Sequence, residues 1–298
     1  MLATLPPRAQ GKAMDEETSP TISMADAHSP SLQPTVLVFD SGLGGLTVLD
    51  ELARARPDLH LFYAADDAAF PYGRLDDQAL VARVVAVMER LVERIRPSLV
   101  VIACNTASTL ALPVLRARFA IPFVGTVPAI KPACAQSKTK RISVLATPGT
   151  VRRDYTKELI RDFAGDCRVT LVGAERLASL AEVALRGEKV ADEAIKAEIA
   201  PCFVDDVGRT DTIVLACTHY PLILDRMKKL APWPVTWIDP AAAIARRASS
   251  LLGPAGVSAG TAARAYFTSG SKPSPALART LERFGVAAAD EEPLKLPV

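Results

Sequence analysis

The sequence predicts an α/β protein with two similar lobes, each a mostly parallel sheet flanked by helices, and an active site in the cleft between them. Short apolar segments rich in β-branched residues alternate with helical patterns along the chain. This alternation is typical of parallel sheets that are covered on both faces. Two of the segments also resemble each other, since residues 100–106 (VVIACNT) and 213–219 (IVLACTH) both place Ala-Cys after a β-branched run. The repetition indicates two lobes of similar design.

Apolar runs predict the strands, and apolar residues at helical spacing predict the helices. The longest helical pattern covers residues 76–96 and stops before Pro97. The predicted strands are 35–39, 59–64, 98–103, 121–127, 141–146, 169–173, 212–216, 235–238 and 265–268. The predicted helices with both bounds are 76–96, 106–119, 149–163, 177–185, 191–205, 241–252 and 275–284. One further helix is predicted to end near residue 55, and another to start near Pro221.

The chain is expected to divide into four parts. Residues 1–34 are polar and contain Pro, Ser and Thr, which predicts a flexible N-terminal extension. The first lobe is predicted to combine residues 35–130 with residues 239–285. The second lobe is predicted at 131–238, and residues 286–298 are expected to form a C-terminal tail.

Composition also excludes several classes of function. The net charge is only +2 and aromatic residues make up 5% of the chain, so nucleic acid is not expected as a primary partner. No apolar run reaches membrane-spanning length, and the N-terminus lacks the apolar centre of a secretory signal. The five cysteines are scattered without a Cys-x-x-Cys pair, and there are only three histidines. We therefore expect no membrane partner, no structural metal and a cytoplasmic location.

The two cysteines of the repeated motif, Cys104 and Cys217, each follow a predicted strand and precede a helical pattern. The carboxyl ends of parallel strands are where open α/β sheets bind ligands. A thiol at a helix start also meets backbone N–H groups and the positive end of the helix dipole, which should lower its pKa below about 8.5. We expect these two thiols to lie on opposite sides of one small pocket. The other cysteines are expected to be buried apolar side chains: Cys134, Cys167 and Cys202.

Asp40 and His219 are the two further titratable candidates for this site. Asp40 follows the first strand and precedes the turn Gly42-Leu43-Gly44-Gly45, where a carboxylate either caps the turn or acts as a general base. His219 lies two residues after Cys217, where it either has a structural role or assists that thiol. The turn lacks the spacing of a dinucleotide fingerprint and the Lys-Ser/Thr of a P-loop.

Four motifs occur in a fixed order along the chain. They are Asp40-Ser41-Gly-x-Gly-Gly, Pro71-Tyr72-Gly73, residues 104–108 (CNTAS) and residues 216–221 (ACTHYP). Together they resemble the glutamate racemases of the cofactor-independent aspartate/glutamate racemase superfamily, and the resemblance covers residues 35–285. The N-terminal extension and residues 146–151 (ATPGTV) resemble the form found in Gram-negative bacteria.

The resemblance implies a two-base reaction with no cofactor and no metal. Cys104 is then the base for D-glutamate, helped by Asp40, and Cys217 is the base for L-glutamate, helped by His219. Glu182 matches a further acidic position among the catalytic residues. The positions that match substrate contacts are Asp40, Ser41, Tyr72, Gly73, Asn105, Thr106, Thr150, Thr218 and His219.

The resemblance also implies partners, and the sequence departs from many relatives at one position. The substrate is expected to be glutamate, and the product D-glutamate would supply peptidoglycan synthesis. Some extended members respond to a peptidoglycan precursor, and members occur as monomers and as dimers, so a precursor activator and a homodimer are both considered. The chain carries Asp66-Asp67 where many relatives have Asp-Thr or Asp-Asn, which adds charge to a loop near the pocket.

Three other functions remain open at this point. A racemase for aspartate is one, although aspartate-specific relatives carry an acid where this chain has His219. A non-catalytic binding or regulatory protein on the same fold is another, and it would be expected to lack a cysteine or Asp40. A cysteine hydrolase needs one Cys with a His base and would leave the second Cys unexplained.

Overall fold

The computed structural model describes residues 33–256 and 261–289. Of the predicted N-terminal extension, residues 1–32 lie outside the described residues, as do residues 290–298 of the predicted tail. None of the helices in the described ranges combines the length and the apolar character needed to cross a membrane.

Strands and helices alternate along the described chain. The strands are β1 (Thr35–Asp40), β2 (His60–Ala65), β3 (Leu99–Ile102), β4 (Phe123–Gly125), β5 (Arg141–Ala146), β6 (Arg168–Gly173), β7 (Asp205–Asp206), β8 (Gly208–Arg209), β9 (Thr212–Ala216), β10 (Thr236–Ile238), β11 (Ala263–Phe267) and β12 (Val286–Ala289). The α-helices are α1 (Leu46–Ala55), α2 (Asp77–Ile95), α3 (Asn105–Arg118), α4 (Ile130–Gln136), α5 (Pro148–Arg152), α6 (Asp154–Phe163), α7 (Leu177–Leu185), α8 (Asp192–Ile199), α9 (Leu224–Leu230), α10 (Ala241–Leu252) and α11 (Pro275–Arg283).

The strands form two parallel sheets, one in each lobe. The first sheet has the order β12-β11-β2-β1-β3-β4, and the second has the order β10-β9-β5-β6. Every pairing within these two sheets is parallel, while β7 and β8 form a short antiparallel pair. The predicted fold class, two α/β lobes with parallel sheets flanked by helices, is confirmed.

Both faces of the first sheet are buried, as the continuous apolar sequence of its strands requires. Successive side chains of a strand point to opposite faces. Val36 and Val38 accordingly pack with α1, α10 and α11, whereas Leu37 and Phe39 pack with α2 and α3. The second sheet is covered in the same way, with α7, α8 and α9 on one face and α4 and α6 on the other.

Several predicted elements end earlier than the sequence pattern indicates. The predicted helix 149–163 is two helices, because Arg153 adopts an extended backbone conformation between α5 and α6. The predicted helix 191–205 ends at Ile199, and a 3-10 turn containing Pro201 follows it. The predicted strand 121–127 shortens to β4, which begins after Pro122.

Four of the labelled elements were not predicted, namely β7, β8, α4 and β12. Residues 286–289, assigned from the sequence to a C-terminal tail, form β12 at the edge of the first sheet, so that part of the assignment is wrong. Their alanines have low strand propensity, but β11 offers an open edge and Val286 is buried in the first-lobe core. Helix α4 was also missed, and it packs on the second sheet. The remaining lobe boundaries stay predictions.

Candidate functional site

The candidate site is a small cavity at the carboxyl ends of the two sheets. In the first lobe, β1 and β3 are hydrogen-bonded neighbours, so Ser41 and Cys104 emerge at the same sheet edge. In the second lobe, β9 ends at Ala216 and delivers Cys217 to the same cavity. The cavity is lined by Ser41, Phe70, Pro71, Tyr72, Gly73, Cys104, Asn105, Thr106, Thr147, Ala178, Cys217, Thr218 and His219. The two cysteines of the repeated motif therefore meet in one place.

The cavity is almost closed. Its free volume is about 20 Å³, which is room for about one water molecule. Cys104 and Cys217 are 5% and 7% exposed. Because a glutamate-sized molecule needs more room, the walls must separate before such a ligand can enter.

Cys104 occupies the N-cap position of α3, directly before the helix that the sequence predicts, and its side chain makes no capping hydrogen bond. Its Sγ lies 3.6 Å from Ser41 Oγ, to which it donates. Burial and the nearby negative charge of Asp40 raise the pKa of the thiol, although the N–H of Ala107 and the hydroxyl of Ser41 act in the opposite direction. The predicted lowering of this pKa by the helix start is therefore wrong for Cys104 in this closed state, because desolvation outweighs the helix N-terminus.

Cys217 has a different environment. A 3-10 turn, Tyr220–Ile223, follows it instead of an α-helix. Its Sγ lies 3.8 Å from Nδ1 of His219, whose Nε2 lies 2.8 Å from Oε1 of Glu182. Burial alone would lower the pKa of His219, but its hydrogen bonds to Cys217 and Glu182 raise that pKa well above the ordinary value. The raised pKa favours the charged form of His219, with Nε2 beside Glu182 and Nδ1 beside the Cys217 sulfur, while the N–H of Gly44 also approaches Nε2, at 3.3 Å.

Glu182 completes this arrangement from behind the cavity wall. Burial acts to raise its pKa, but the hydrogen bond and the charge of His219 outweigh burial and leave the pKa below its usual value. Oε1 also accepts the backbone N–H of Leu43 at 2.5 Å. Glu182 does not line the cavity, so it acts on the site through His219.

Asp40 also lies behind the wall. It is fully buried, and its Oδ2 accepts the backbone N–H of Gly45 at 2.8 Å. Burial raises its pKa, against the positive charge of His219 and the N–H of Gly45. Within the described chain, Asp40 Oδ1 and both polar atoms of the Asn105 amide have no hydrogen-bond partner. These unsatisfied groups at and behind the wall suit a polar ligand, since buried polar atoms are normally paired.

The glycine-rich turn of the first lobe fits against the second lobe. A methyl group on Gly42 would lie 2.3 Å from Glu182 Oε1, and one on Gly44 would lie 2.5 Å from His219 Nδ1. Only glycine permits this close approach. The turn is held from its own side by Tyr63, whose hydroxyl donates to the carbonyl of Gly42 at 2.5 Å.

Threonine hydroxyls join the lobes on the other side of the cavity. Thr106 Oγ1 from α3 lies 3.1 Å from Thr147 Oγ1, which lies 3.1 Å from Thr150 Oγ1. Thr147 lines the cavity and was missed from the sequence, although it follows β5 directly. Thr150 is buried behind it and does not line the cavity, so its predicted role as a substrate contact has no direct support from this geometry.

The structure places most of the predicted residues together. Nine of them form the wall, namely Ser41, Tyr72, Gly73, Cys104, Asn105, Thr106, Cys217, Thr218 and His219. Tyr72 offers its ring and backbone, because its hydroxyl donates to Asp66 at 2.5 Å. Asp67 does not line the cavity, and its carboxylate accepts from the backbone N–H and the hydroxyl of Ser269.

The arrangement suits acid–base chemistry between two thiols. Phe70 and Ala178 add apolar surface, and the ring centroid of Phe70 lies 5.3 Å from that of His219. Among the described residues, no group of three or more His, Cys, Asp or Glu side chains is placed to hold a metal ion. Serine, threonine and asparagine side chains on the wall provide hydrogen bonds for carboxylates.

Comparisons with known proteins agree with this geometry. A sequence model described as Asp/Glu/Hydantoin racemase matches residues 39–248. The chain is 54% identical over 256 residues to the glutamate racemase of Mesorhizobium japonicum, which covers 85% of this chain and 97% of that protein. It is 51% identical over 275 residues to the glutamate racemase of Agrobacterium fabrum, with 89% and 98% covered.

A solved structure is similar as well. The crystal structure of Escherichia coli glutamate racemase, in complex with L-glutamate and the activator UDP-MurNAc-Ala, matches with a TM-score of 0.80 at 42% identity. The match covers 87% of this chain and 97% of that chain.

The pairing of Glu182 with His219 predicts a pH-dependent contribution to stability. A raised His pKa stabilises the fold fully below about pH 6.5, and this contribution falls as the pH rises through the raised pKa. A lowered Glu pKa stabilises the fold above about pH 4.5. Glu182→Gln should therefore destabilise most between these values, by about 3 kcal/mol, and less near pH 9.

Thermal melts of the Glu182→Gln and wild-type proteins, one set between about pH 4.5 and 6.5 and one set near pH 9, measure this difference. Glu158→Gln on the exposed surface of α6 is the matched control. An equal loss of melting temperature at both pH values would contradict a charged His219–Glu182 pair.

Proposed function

The chain belongs to the Asp/Glu/hydantoin racemase family and is an isomerase, and we propose that it interconverts L- and D-glutamate by proton transfer at two cysteines. The observation that carries this proposal is the presence of Cys104 and Cys217, from different lobes, in one nearly closed cavity. Inversion at Cα requires a proton to leave one face and another to arrive on the opposite face. Two thiols supplied by opposite lobes suit that requirement.

A two-base reaction requires the two thiols to be in opposite protonation states when the substrate binds. Burial and Asp40 keep Cys104 protonated, because they raise the pKa of its thiol. His219 Nδ1 lies 3.8 Å from Cys217 Sγ, within reach to exchange a proton with that thiol. When Cys217 is the thiolate, it removes the Cα proton of L-glutamate while the Cys104 thiol delivers its proton to the other face, which yields D-glutamate. The reverse reaction starts from the opposite protonation state, with Cys104 as the base.

The Cα proton of an amino acid is a very weak acid, so the developing negative charge needs stabilisation. The unpaired amide of Asn105, the hydroxyls of Ser41, Thr106 and Thr218, and the N–H groups at the start of α3 are fixed donors around the cavity. Such preorganised donors act most strongly where water is excluded. Closure of the lobes around the substrate would remove water and strengthen the thiolate as a base.

The biological role follows from the product. D-glutamate from this reaction would supply peptidoglycan synthesis, and the reaction would take place in the cytoplasm. Glutamate is preferred over aspartate in this proposal because the position beside Cys217 carries His219 rather than an acid. A homodimer stays a prediction.

Racemisation without any added cofactor is the direct test of the proposed activity. Purified protein incubated with L-glutamate should lose the circular dichroism signal of that enantiomer until both enantiomers are equal, and the same should hold for D-glutamate. L-aspartate is one methylene shorter and should react about 10- to 200-fold more slowly. No turnover of glutamate, or equal turnover of aspartate, would contradict the proposal.

Removal of either cysteine in the cavity should abolish the reaction. Cys104→Ala and Cys217→Ala should each reduce the racemisation rate about 10²- to 10⁴-fold, since each loses one of two acid–base groups. Cys134→Ala is the matched control, because Cys134 is buried in the second lobe away from the cavity. Substantial racemisation by either cavity variant would refute the two-cysteine scheme.

A regulatory ligand forms a further part of the proposal. The Escherichia coli enzyme of the similar structure was solved with UDP-MurNAc-Ala as activator. We expect the same precursor to raise the turnover of this chain, and steady-state assays with and without UDP-MurNAc-L-Ala measure the effect. An unchanged rate at saturating glutamate and precursor would rule out this activation.

A further inference from the structure

The segment Phe70–Gly73 forms one wall of the cavity and is attached at its back to the first lobe. All four of its residues line the cavity. Behind it lie Asp66, directly after β2, and Arg83, in α2. Neither of these two residues lines the cavity, and the proposed reaction gives neither of them a role.

Asp66 is a fully buried carboxylate with four donors. Its Oδ1 accepts from Arg83 Nη2 at 2.6 Å and from Thr268 Oγ1 at 2.6 Å. Its Oδ2 accepts from Arg83 Nε at 2.9 Å and from the hydroxyl of Tyr72 at 2.5 Å. The carboxylate is thus hydrogen-bonded to three parts of the chain, namely α2, the residue after β11 and the cavity wall.

This ion pair is better suited to fixing geometry than to adding stability. Buried ion pairs often contribute no more to folding than apolar side chains of the same shape. A bidentate hydrogen bond between a guanidinium and a carboxylate does, however, fix the orientation of both groups. The direction of the Asp66 oxygens therefore fixes the position of the Tyr72 hydroxyl, and with it the adjacent wall.

The front of the same segment faces the catalytic groups of the other lobe. The ring of Phe70 lies against the imidazole of His219. The backbone of Gly73 faces Gly149, where an added methyl group would lie 3.8 Å from the Gly73 Cα. A shift of the wall would therefore expose both His219 and the cavity to water.

We propose that Arg83 is a positioning residue for the racemase reaction, because it orients Asp66 and thereby holds the Phe70–Gly73 wall over the two thiols. This inference rests on the proposed function for its effect on turnover. Arg83 touches neither thiol, and it acts only through Asp66 and Tyr72. Loss of its guanidinium should loosen the wall and let water and small reagents reach the cavity.

Alkylation of the cysteines tests this without relying on activity. Wild-type protein and the variants Arg83→Gln and Arg83→Lys are treated with iodoacetamide, and the rate at each of the five cysteines is measured by peptide mass spectrometry. In Arg83→Gln, the rates at Cys104 and Cys217 should rise about tenfold, while the rate at Cys202 in the second-lobe core stays unchanged. In Arg83→Lys, the alkylation rates at Cys104 and Cys217 should lie between those of the wild type and Arg83→Gln, since lysine keeps the charge but loses the bidentate hydrogen bond.

Arg90→Gln is the matched control for the loss of a positive charge from α2. Arg90 lies on the same helix in an exposed pair with Glu93. In Arg90→Gln, iodoacetamide should alkylate every cysteine at the wild-type rate. Unchanged rates at Cys104 and Cys217 in Arg83→Gln would overturn the proposal, as would an equal rise at all five cysteines, which indicates general loosening of the fold.

Kinetics provide the second measurement. Arg83→Gln should lower kcat/KM for glutamate about 10- to 100-fold, with KM raised as well as kcat lowered, and Arg83→Lys should recover part of this loss. A fraction of unfolded protein would lower kcat alone, so an unchanged KM would assign Arg83 a merely structural role and overturn the proposal. If the wild type racemised no glutamate, the proposed function would fail, while the alkylation pattern would still decide whether Arg83 holds the wall.

Discussion

The site depends on one constraint, which is that two buried thiols share one nearly closed cavity. A thiolate without a counter-charge is costly in such a place, so each cysteine needs its own support. Cys104 has a hydroxyl, a helix start and a buried carboxylate behind it, and burial raises its pKa. Cys217 has a positively charged His219 that is itself held by Glu182. The two thiols therefore have different surroundings, with a buried carboxylate behind Cys104 and an imidazole beside Cys217.

The same groups that build the cavity also hold the lobes together. The glycine turn of the first lobe contacts Glu182 and His219 of the second, and Thr106 contacts Thr147. With free volume for about one water molecule, the cavity cannot admit glutamate in this state. Entry of a ligand of that size therefore requires the walls to move apart, and the bound state must leave more room between them than this one.

The sequence predicts those features that depend on local pattern. Buried strand runs, the two thiols at strand ends and the Asp40 turn follow from periodicity and from the rule that ligands lie beyond the carboxyl ends of parallel strands. Contacts between distant residues could not be predicted without the family resemblance. Glu182 lies 37 residues before His219, and nothing local indicates that the two pair. The helix-start argument failed for Cys104 because the degree of burial, which decides the sign of the pKa shift, is a property of the assembled cavity. Strand β12 was missed because an open sheet edge, rather than its alanine-rich sequence, determines its conformation.

The central claim is that the proton removed and the proton delivered belong to different thiols. The most direct measurement is the reaction of L-glutamate in D₂O, stopped at low conversion, with the deuterium at Cα determined separately in each enantiomer. The D-glutamate formed should carry deuterium, since the delivering thiol has exchanged with solvent, while the remaining L-glutamate should still carry its original hydrogen. D-glutamate that retains the original hydrogen would show that a single group removes and returns the proton, and would contradict the two-thiol account.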